Sequence, residues 1–280
     1  MTRVQLTRGV IPQINKAINE LELWTTLEAG NFAPRVDFPA AYSGRVYWEF
    51  NGILYPATSG AAISAPAVGG MQRATLKGVP LSALTRLDAN STGLVGDITN
   101  LRPDRFRAMQ DLRLYSTSVS GDISGWVLPS SMQILYLRST SVSGDISGWV
   151  LPSTMQNLYL QLTSVRVLAT FAGVGTGMRD FRIHSCSLPA GDVTNVISSI
   201  WNARLGFTWD TPFLNVGGTN AAPAGIVAAP PGDGASNSDW DWDGEKYIPL
   251  TAGAMIWDLA KDVNSEEFKK WAITYAGGSI

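Results

Sequence analysis

Three sets of residues in this 280-residue chain carry side chains able to do chemistry. Asp239, Asp241, Asp243 and Gly244 form Asp-x-Asp-x-Asp-Gly, which spaces carboxylates as the first half of a calcium-binding loop does. The twelfth place of such a loop calls for a bidentate Glu, but Leu250 stands there, with Trp240 and Trp242 between the carboxylates. A surface loop anchored by two tryptophans is therefore expected, without a metal site. His184 and Cys186 are the single His and the single Cys. They lie two apart, with Cys186 expected inward and His184 outward, which argues against a nucleophile–base pair. An inert, buried thiol is the expectation, and ordinary zinc sites lack ligands.

The third set recurs along the chain. Asp88, Arg113, Tyr136, Tyr159 and Arg182 share one place in a repeated pattern; Asn90, Tyr115, Arg138, Gln161 and His184 share another, two residues on. Residues two apart on a strand face the same way, so both sets should stack into ladders on one exposed face. Tyr and Arg are the types enriched where binding energy concentrates. Arg113, Tyr115, Tyr136, Arg138, Tyr159, Arg182 and His184 are accordingly the candidate ligand-binding residues. Asp88 is the only carboxylate in the two ladders, whereas glycan cleavage calls for a pair. A Gly-x-Ser-x-Gly elbow, a phosphate loop and a dinucleotide fingerprint are all missing. Neither an enzyme nor a cofactor is expected.

The element that positions the ladders is a repeat. Residues 116 to 130 return letter for letter at 139 to 153, an offset of 23. A fixed period in that range marks a solenoid, whose coils bury their apolar faces only against their neighbours. The pattern Leu-x-Leu-x-x-Thr-x-Val-x-Gly-x-Ile starts at residues 87, 112, 135, 158 and 181, with spacings of 25, 23, 23 and 23. The fifth copy is looser, with Cys186 at the Thr place and Gly191 and Val193 one residue late. Leu-x-Leu alternation predicts a short strand with one face buried. The Thr should point inward and bond backbone groups, and the Gly permits a tight turn. The returning arc, Ser-Gly-Trp-Val-Leu-Pro-Ser, is too rich in Gly, Pro and Ser for a long helix. Short irregular or 3₁₀ pieces are expected there, with Trp126, Trp149, Leu128, Leu151, Met132 and Met155 filling the outer core.

These residues resemble the leucine-rich repeat family over roughly residues 76 to 200. The Val-Ser-Gly-Asp-Ile-Ser stretch is similar to the subtype carrying Leu-x-Gly-x-Ile-Pro, with Ser for its Pro and Thr or Cys for the usual Asn. The resemblance implies an α/β solenoid with a parallel β-sheet on its concave face. It says almost nothing of function, because one fold hosts many.

The ends change character. In residues 12 to 27, Pro12 suits a first helical position. Ile14, Ala17, Ile18, Leu21 and Trp24 recur at helical spacing, and Gly30 follows as a stop. The expectation is a helical segment over 1–30 that packs on its own domain or, through Ile14, Ile18, Leu21 and Trp24, joins identical chains into a bundle such as a trimer. In 31–75, Asn51-Gly52 between two β-prone runs predicts a hairpin, and Ala57 to Gly70 reads as a linker or extended arm. Over 201–280, Thr251 is placed to cap a helix reaching about Val263, and Trp271 to Tyr275 reads as a closing strand. The Leu214-Asn-Val-Gly-Gly-Thr-Asn-Ala-Ala-Pro stretch, the late helix and Lys270-Trp-Ala-Ile-Thr-Tyr275 resemble the C-terminal cap of leucine-rich repeat proteins of bacteriophages and Bacteroidetes-type bacteria.

Composition narrows the partners. Charged residues are 16% of the chain and the net charge is −2, without a basic cluster, so nucleic acid is not expected. No apolar run reaches bilayer-spanning length, and the first residues lack the apolar core of a secretion signal. The resemblance implies a virion fibre or decoration protein that is made in the host cytoplasm and carried on the particle surface. Its N-terminal region would meet other virion proteins or further copies of itself, and its repeats a host-surface glycan or protein. A bacterial protein-interaction module sharing the repeat is the alternative.

Overall fold

The computed structural model describes residues 21–25, 31–50, 52–63, 65–66, 71–90, 92–266 and 268–280. Its centre is a β-solenoid of about four turns. Each of the first four coils gives one strand to each of two sheets. In the first sheet Arg86–Asp88, Asp111–Arg113, Ile134–Tyr136, Asn157–Tyr159, Asp180–Arg182, Phe213–Asn215 and Ala272–Tyr275 pair in parallel in chain order. In the second, Leu94–Asp97, Ser118–Asp122, Ser141–Asp145 and Ser164–Arg166 do the same.

Register follows the repeat. Leu87, Leu112, Leu135, Leu158, Phe181, Leu214 and Ile273 stand opposite one another on successive strands and are all at most 2% exposed. Burying each such side chain stabilises the stack by about 1.5–3 kcal/mol. The predicted outer-core residues Trp126, Trp149, Leu128, Leu151, Met132 and Met155 are buried too.

The polar letters of the repeat have local duties. Thr92, Thr117, Thr140 and Thr163 each donate from Oγ1 to the carbonyl three residues back, at 2.5–2.7 Å. That bond takes up a strand-end acceptor which packing would otherwise orphan. Asp97, Asp122 and Asp145 each accept the N–H two residues on, at 2.8–3.0 Å, and so close a tight turn. The glycine of the next coil lies directly over that carboxylate. Gly121 and Gly144 have φ of +121° and +111°, and a Cβ on them would meet Asp97 Oδ1 at 2.2 Å or Asp122 Oδ1 at 2.1 Å. Glycine is thus required twice over, by conformation and by space.

The second-sheet strands are an addition to the sequence reading, which placed turns and irregular arcs after the Thr. A further correction concerns the fifth copy. Gly191 and Val193 fall in helix α1, Ala190–Asn202, where the repeat pattern predicted a tight turn. The α1 side chains take over the pairing of the last strand. Val167 N donates to Asp192 Oδ2 at 3.0 Å, Asn195 Nδ2 donates to the Val167 carbonyl at 2.8 Å, and Phe171 N donates to Ser199 Oγ at 2.9 Å. Asp192 is 4% exposed and also holds Arg166 at 2.6 Å. Helix α2, Ala252–Lys261, packs on α1; Thr251 Oγ1 accepts from Ala254 N, the predicted N-cap. Trp201 Nε1 donates to the buried Asp258 at 2.7 Å between the two helices.

The N-terminal expectation is overturned where the structure describes it. Leu21–Thr25 is a strand, antiparallel to Gln72–Lys77 and to Leu94–Asp97, and it joins the second sheet. Leu21 is 0% exposed and Trp24 packs partly buried against the same core, so neither is free to anchor a bundle between chains. The physical reason is the alternation Leu-Glu-Leu-Trp-Thr, which buries Leu21, Leu23 and Thr25 on one face. Ile14 and Ile18 lie outside the described residues. The hairpin predicted at Asn51-Gly52 joins Tyr47–Phe50 to Ile53–Pro56, with Phe50 opposite Ile53. The described part of the expected arm is packed: Ala57 N and Gly60 N donate to the Val46 and Val36 carbonyls, and Ile63 is buried. Arg35–Asp37 adds an antiparallel strand to the first sheet beside Arg86–Asp88.

Candidate functional site

The predicted ladder assembles on the outward face of the first sheet. Asp88, Arg113, Tyr136, Tyr159 and Arg182 are directly opposite partners on consecutive strands, and the row runs on to Asn215 and Thr274. Tyr136 and Tyr159 stack at 4.2 Å between ring centres with planes 10° apart. Tyr115 meets Tyr136 edge-on at 6.2 Å. Arginines sandwich the aromatics: Arg138 lies 4.3 Å over Tyr115, Arg113 5.1 Å over Tyr136, and Arg182 4.7 Å over Tyr159. The side chains are half-buried by one another. Stacking of this kind fixes rotamers in advance, so a ligand meets a rigid surface and orders little on arrival.

A third row completes the face and was missed from the sequence. Arg86, Asp111, Ile134, Asn157, Asp180 and Phe213 stand one turn of the pleat away, on the same side as the Tyr/Arg row. They precede each Leu-x-Leu, where the repeat pattern was read as beginning. The signal available was Asp before Leu112 and Phe181, each followed two residues later by Arg. Those pairs close on the face: Asp111 Oδ1 to Arg113 Nε at 2.7 Å, and Asp180 Oδ2 to Arg182 Nη2 at 2.8 Å. Tyr159 Oη donates to Asp180 Oδ2 at 2.6 Å. Burial, with that bond and the nearby carboxylate, pushes the Tyr159 phenol well above its ordinary value. Burial likewise raises Tyr136. Both rings therefore stay neutral donors at physiological pH.

The face thus carries more carboxylates than Asp88 alone, which corrects the sequence-level count. Asp111 and Asp180 are three strands apart in one row, about 14 Å at strand spacing. For this pair that exceeds the separations at which two carboxyl groups act on one glycosidic bond, whereas Asp88 and Asp111 lie closer together, both contacting the Arg86 guanidinium at 3.1 and 3.4 Å. Each is held by an arginine.

The second predicted ladder is less even. Arg138 has no carboxylate at ion-pair distance among the described residues. Gln161 is buried at 7% exposure instead of exposed as expected, and its Oε1 has no hydrogen-bond partner among the described residues. His184 is half-buried, with Nδ1 3.1 Å from Ser185 Oγ; burial and then Arg182 push its pKa down, so the ring is neutral at pH 7.

The remaining candidates are occupied locally. Cys186 is buried, its Sγ donating to the Leu160 carbonyl at 3.2 Å, and burial pushes the thiol pKa up. Asp239 is buried and accepts from Ile226 N and from Thr251 Oγ1 at 2.8 Å. Asp241 accepts from Ser236 Oγ, and Asp243 from the N–H groups of Glu245 and Lys246. Asp239 ties distant segments together while Asp243 closes a local turn, and among the described residues three metal-ligating side chains do not gather anywhere. No helix among the described residues is long and apolar enough to cross a membrane. No protein-family model matches the chain, and the comparison with curated proteins finds no significant match.

Proposed function

We propose that the chain is a non-enzymatic structural and adhesion protein of a bacteriophage particle, a fibre or decoration protein whose leucine-rich repeat solenoid binds a host surface. The observation that carries the recognition role is the pre-stacked Tyr136–Tyr159 pair with its flanking arginines, presented in strict register on one sheet face. Aromatic and arginine side chains already immobilised lose little entropy on binding. The assignment to a virion is supported by the resemblance of the Leu214 and Lys270-to-Tyr275 segments to phage and Bacteroidetes-type repeat proteins. The strand Ala272–Tyr275 lies in register on Phe213–Asn215, consistent with a segment that covers the last coil. The partners are a host cell-surface glycan or protein on the ladder face, and other virion proteins or further copies of the chain through the N-terminal region.

Two measurements test this. Mass spectrometry of purified virions should find the chain, and its absence there rules out the particle assignment. Replacing Tyr136 and Tyr159 by Ala should abolish attachment to host cells while the fold stays intact; unchanged attachment removes the ladder face as the binding surface.

A further inference from the structure

The geometry points to a saccharide-binding cleft at the N-terminal end of the ladder face, built for a neutral sugar bearing adjacent hydroxyls; it rests on the recognition role of that face proposed above. The cleft has a volume of about 170 Å³ and is lined by Asp37, Arg86, Gln110, Asp111, Gln133 and Ile134. Strand pairing sets its floor: Asp37 is opposite Arg86, Arg86 opposite Asp111, and Asp111 opposite Ile134. The carboxylates of Asp37 and Asp111 therefore flank one guanidinium on three adjacent strands. The row beside this floor begins with Asp88, Arg113 and Tyr136, so the cleft opens onto the aromatic ladder.

The chemistry selects the ligand class. Asp37, Asp88 and Asp111 are matched by Arg35, Arg86 and Arg113, three carboxylates to three guanidinium groups, in pairs at 2.7–3.7 Å. A site balanced in this way gives a net anion or cation no advantage. What it does supply is both senses of hydrogen bond, side by side. The carboxylates accept, the guanidinium donates, and the amides of Gln110 and Gln133 do both. Vicinal hydroxyl groups need that alternation. Ile134 offers an apolar patch for the C–H face of a sugar ring, and the stacked tyrosines extend such a surface along the sheet. Two of these pairs meet only as loose ion pairs, Arg86 Nε to Asp111 Oδ2 at 3.4 Å and Arg35 Nε to Asp37 Oδ1 at 3.7 Å. Asp37 Oδ1 and Arg86 Nε are sealed from water and make no hydrogen bond among the described residues.

The test is calorimetric titration of the full chain with neutral trisaccharides of glucose, galactose and mannose, and with trisaccharides carrying a uronic acid. At least one neutral trisaccharide should bind, and the acidic ones no better. Asp111→Asn and Gln133→Ala should each weaken that binding about tenfold, the worth of one charge-assisted or well-made hydrogen bond. Gln133 is half-exposed, so its truncation leaves the fold intact even if Asp111→Asn disturbs the ion pairs. Failure of every neutral trisaccharide to bind, or binding unaltered by Gln133→Ala, overturns the cleft. Should Tyr136→Ala and Tyr159→Ala abolish host attachment while Gln133→Ala does not, the face stands and the cleft alone falls.

Discussion

Gly144 is the sharpest place to break the solenoid. Its φ of +111° lies in a region that L side chains rarely enter, and an added methyl would sit 2.1 Å from Asp122 Oδ1 and 3.0 Å from Ser124 N. Asp122 Oδ1 is the acceptor that closes the preceding coil's turn, holding Ser124 N at 2.8 Å. Gly144→Ala therefore carries backbone strain of about 1–3 kcal/mol and displaces a charge-assisted bond worth about 1.5–3 kcal/mol. A loss of about 3–5 kcal/mol follows, large for a single substitution. The assay is urea unfolding followed by tryptophan fluorescence, since Trp126 and Trp149 lie in the coils concerned. The decisive version is a double-mutant cycle with Asp122→Ala. With the carboxylate gone, Gly144→Ala should cost only the strain, so the two changes should couple by about 1.5–2 kcal/mol. Gly148→Ala is the control: its φ is not positive and, its chain neighbours aside, no atom of the described residues lies within 4 Å of the added methyl, so it should range from neutral to about 1 kcal/mol stabilising. Simple additivity of the Asp122 and Gly144 changes would refute the argument that the close approach between coils is what demands glycine.

Three further outcomes are expected. Trp149 Nε1 donates to the Ile123 carbonyl at 3.2 Å, whereas Trp126 Nε1 has no partner among the described residues; Trp149→Phe should therefore cost about 1 kcal/mol more than Trp126→Phe in the same unfolding assay. Burial works against the Asp145 charge, but the N–H groups of Ser147 and Leu168, the Ser147 hydroxyl and Arg166 outweigh it and hold its pKa below 3.8. A depressed folded pKa gives stability that is present above the unfolded value and lost as pH falls through the folded one, so Asp145→Asn should flatten part of the loss of stability below pH 3.8 in a pH series of melts. The Cys186 thiol, buried and pushed up in pKa, should resist a disulfide-exchange reagent in the native protein and react at once in urea; rapid native reaction would contradict the inward placement.

The parts of the fold that sequence conveyed are those where one periodicity acts alone. Leu112, Leu135 and Leu158 repeat at 23 residues and alternate with outward side chains, so their register could be read directly. Thr140 and Thr163 did what short hydroxyl side chains do at a strand end. Misreadings arose where two signals overlapped. Leu21 and Trp24 continue a helical stripe from Ile14, yet they also belong to a strand-like alternation, and pairing with Gln72–Lys77 decided between them. Val119-Ser-Gly-Asp reads as a turn because of its Gly, but the parallel ladder on the second sheet absorbs that Gly as a point of close approach. Asp111 and Asp180 were overlooked because their importance comes from neighbours on adjacent strands, which no window along one strand contains. The cleft they help to form depends in addition on Asp37, placed by an antiparallel pairing that nothing in the repeat announces.

The letter-for-letter recurrence of residues 116 to 130 has a consequence for the length of the solenoid. Excising residues 131 to 153 joins Ser130 to Thr154 and recreates Ser-Gly-Trp-Val-Leu-Pro-Ser-Thr-Met, a junction already present one coil later. Leu112 would then rest on Leu158, and Asp97 to Asp122 would still feed a coil of the same shape. Adding or removing one 23-residue unit would therefore lengthen or shorten the molecule by a whole coil without inventing a new interface. Each such change also adds or deletes one tyrosine and one arginine from the face, so the length of the solenoid and the make-up of its ladder are tied together.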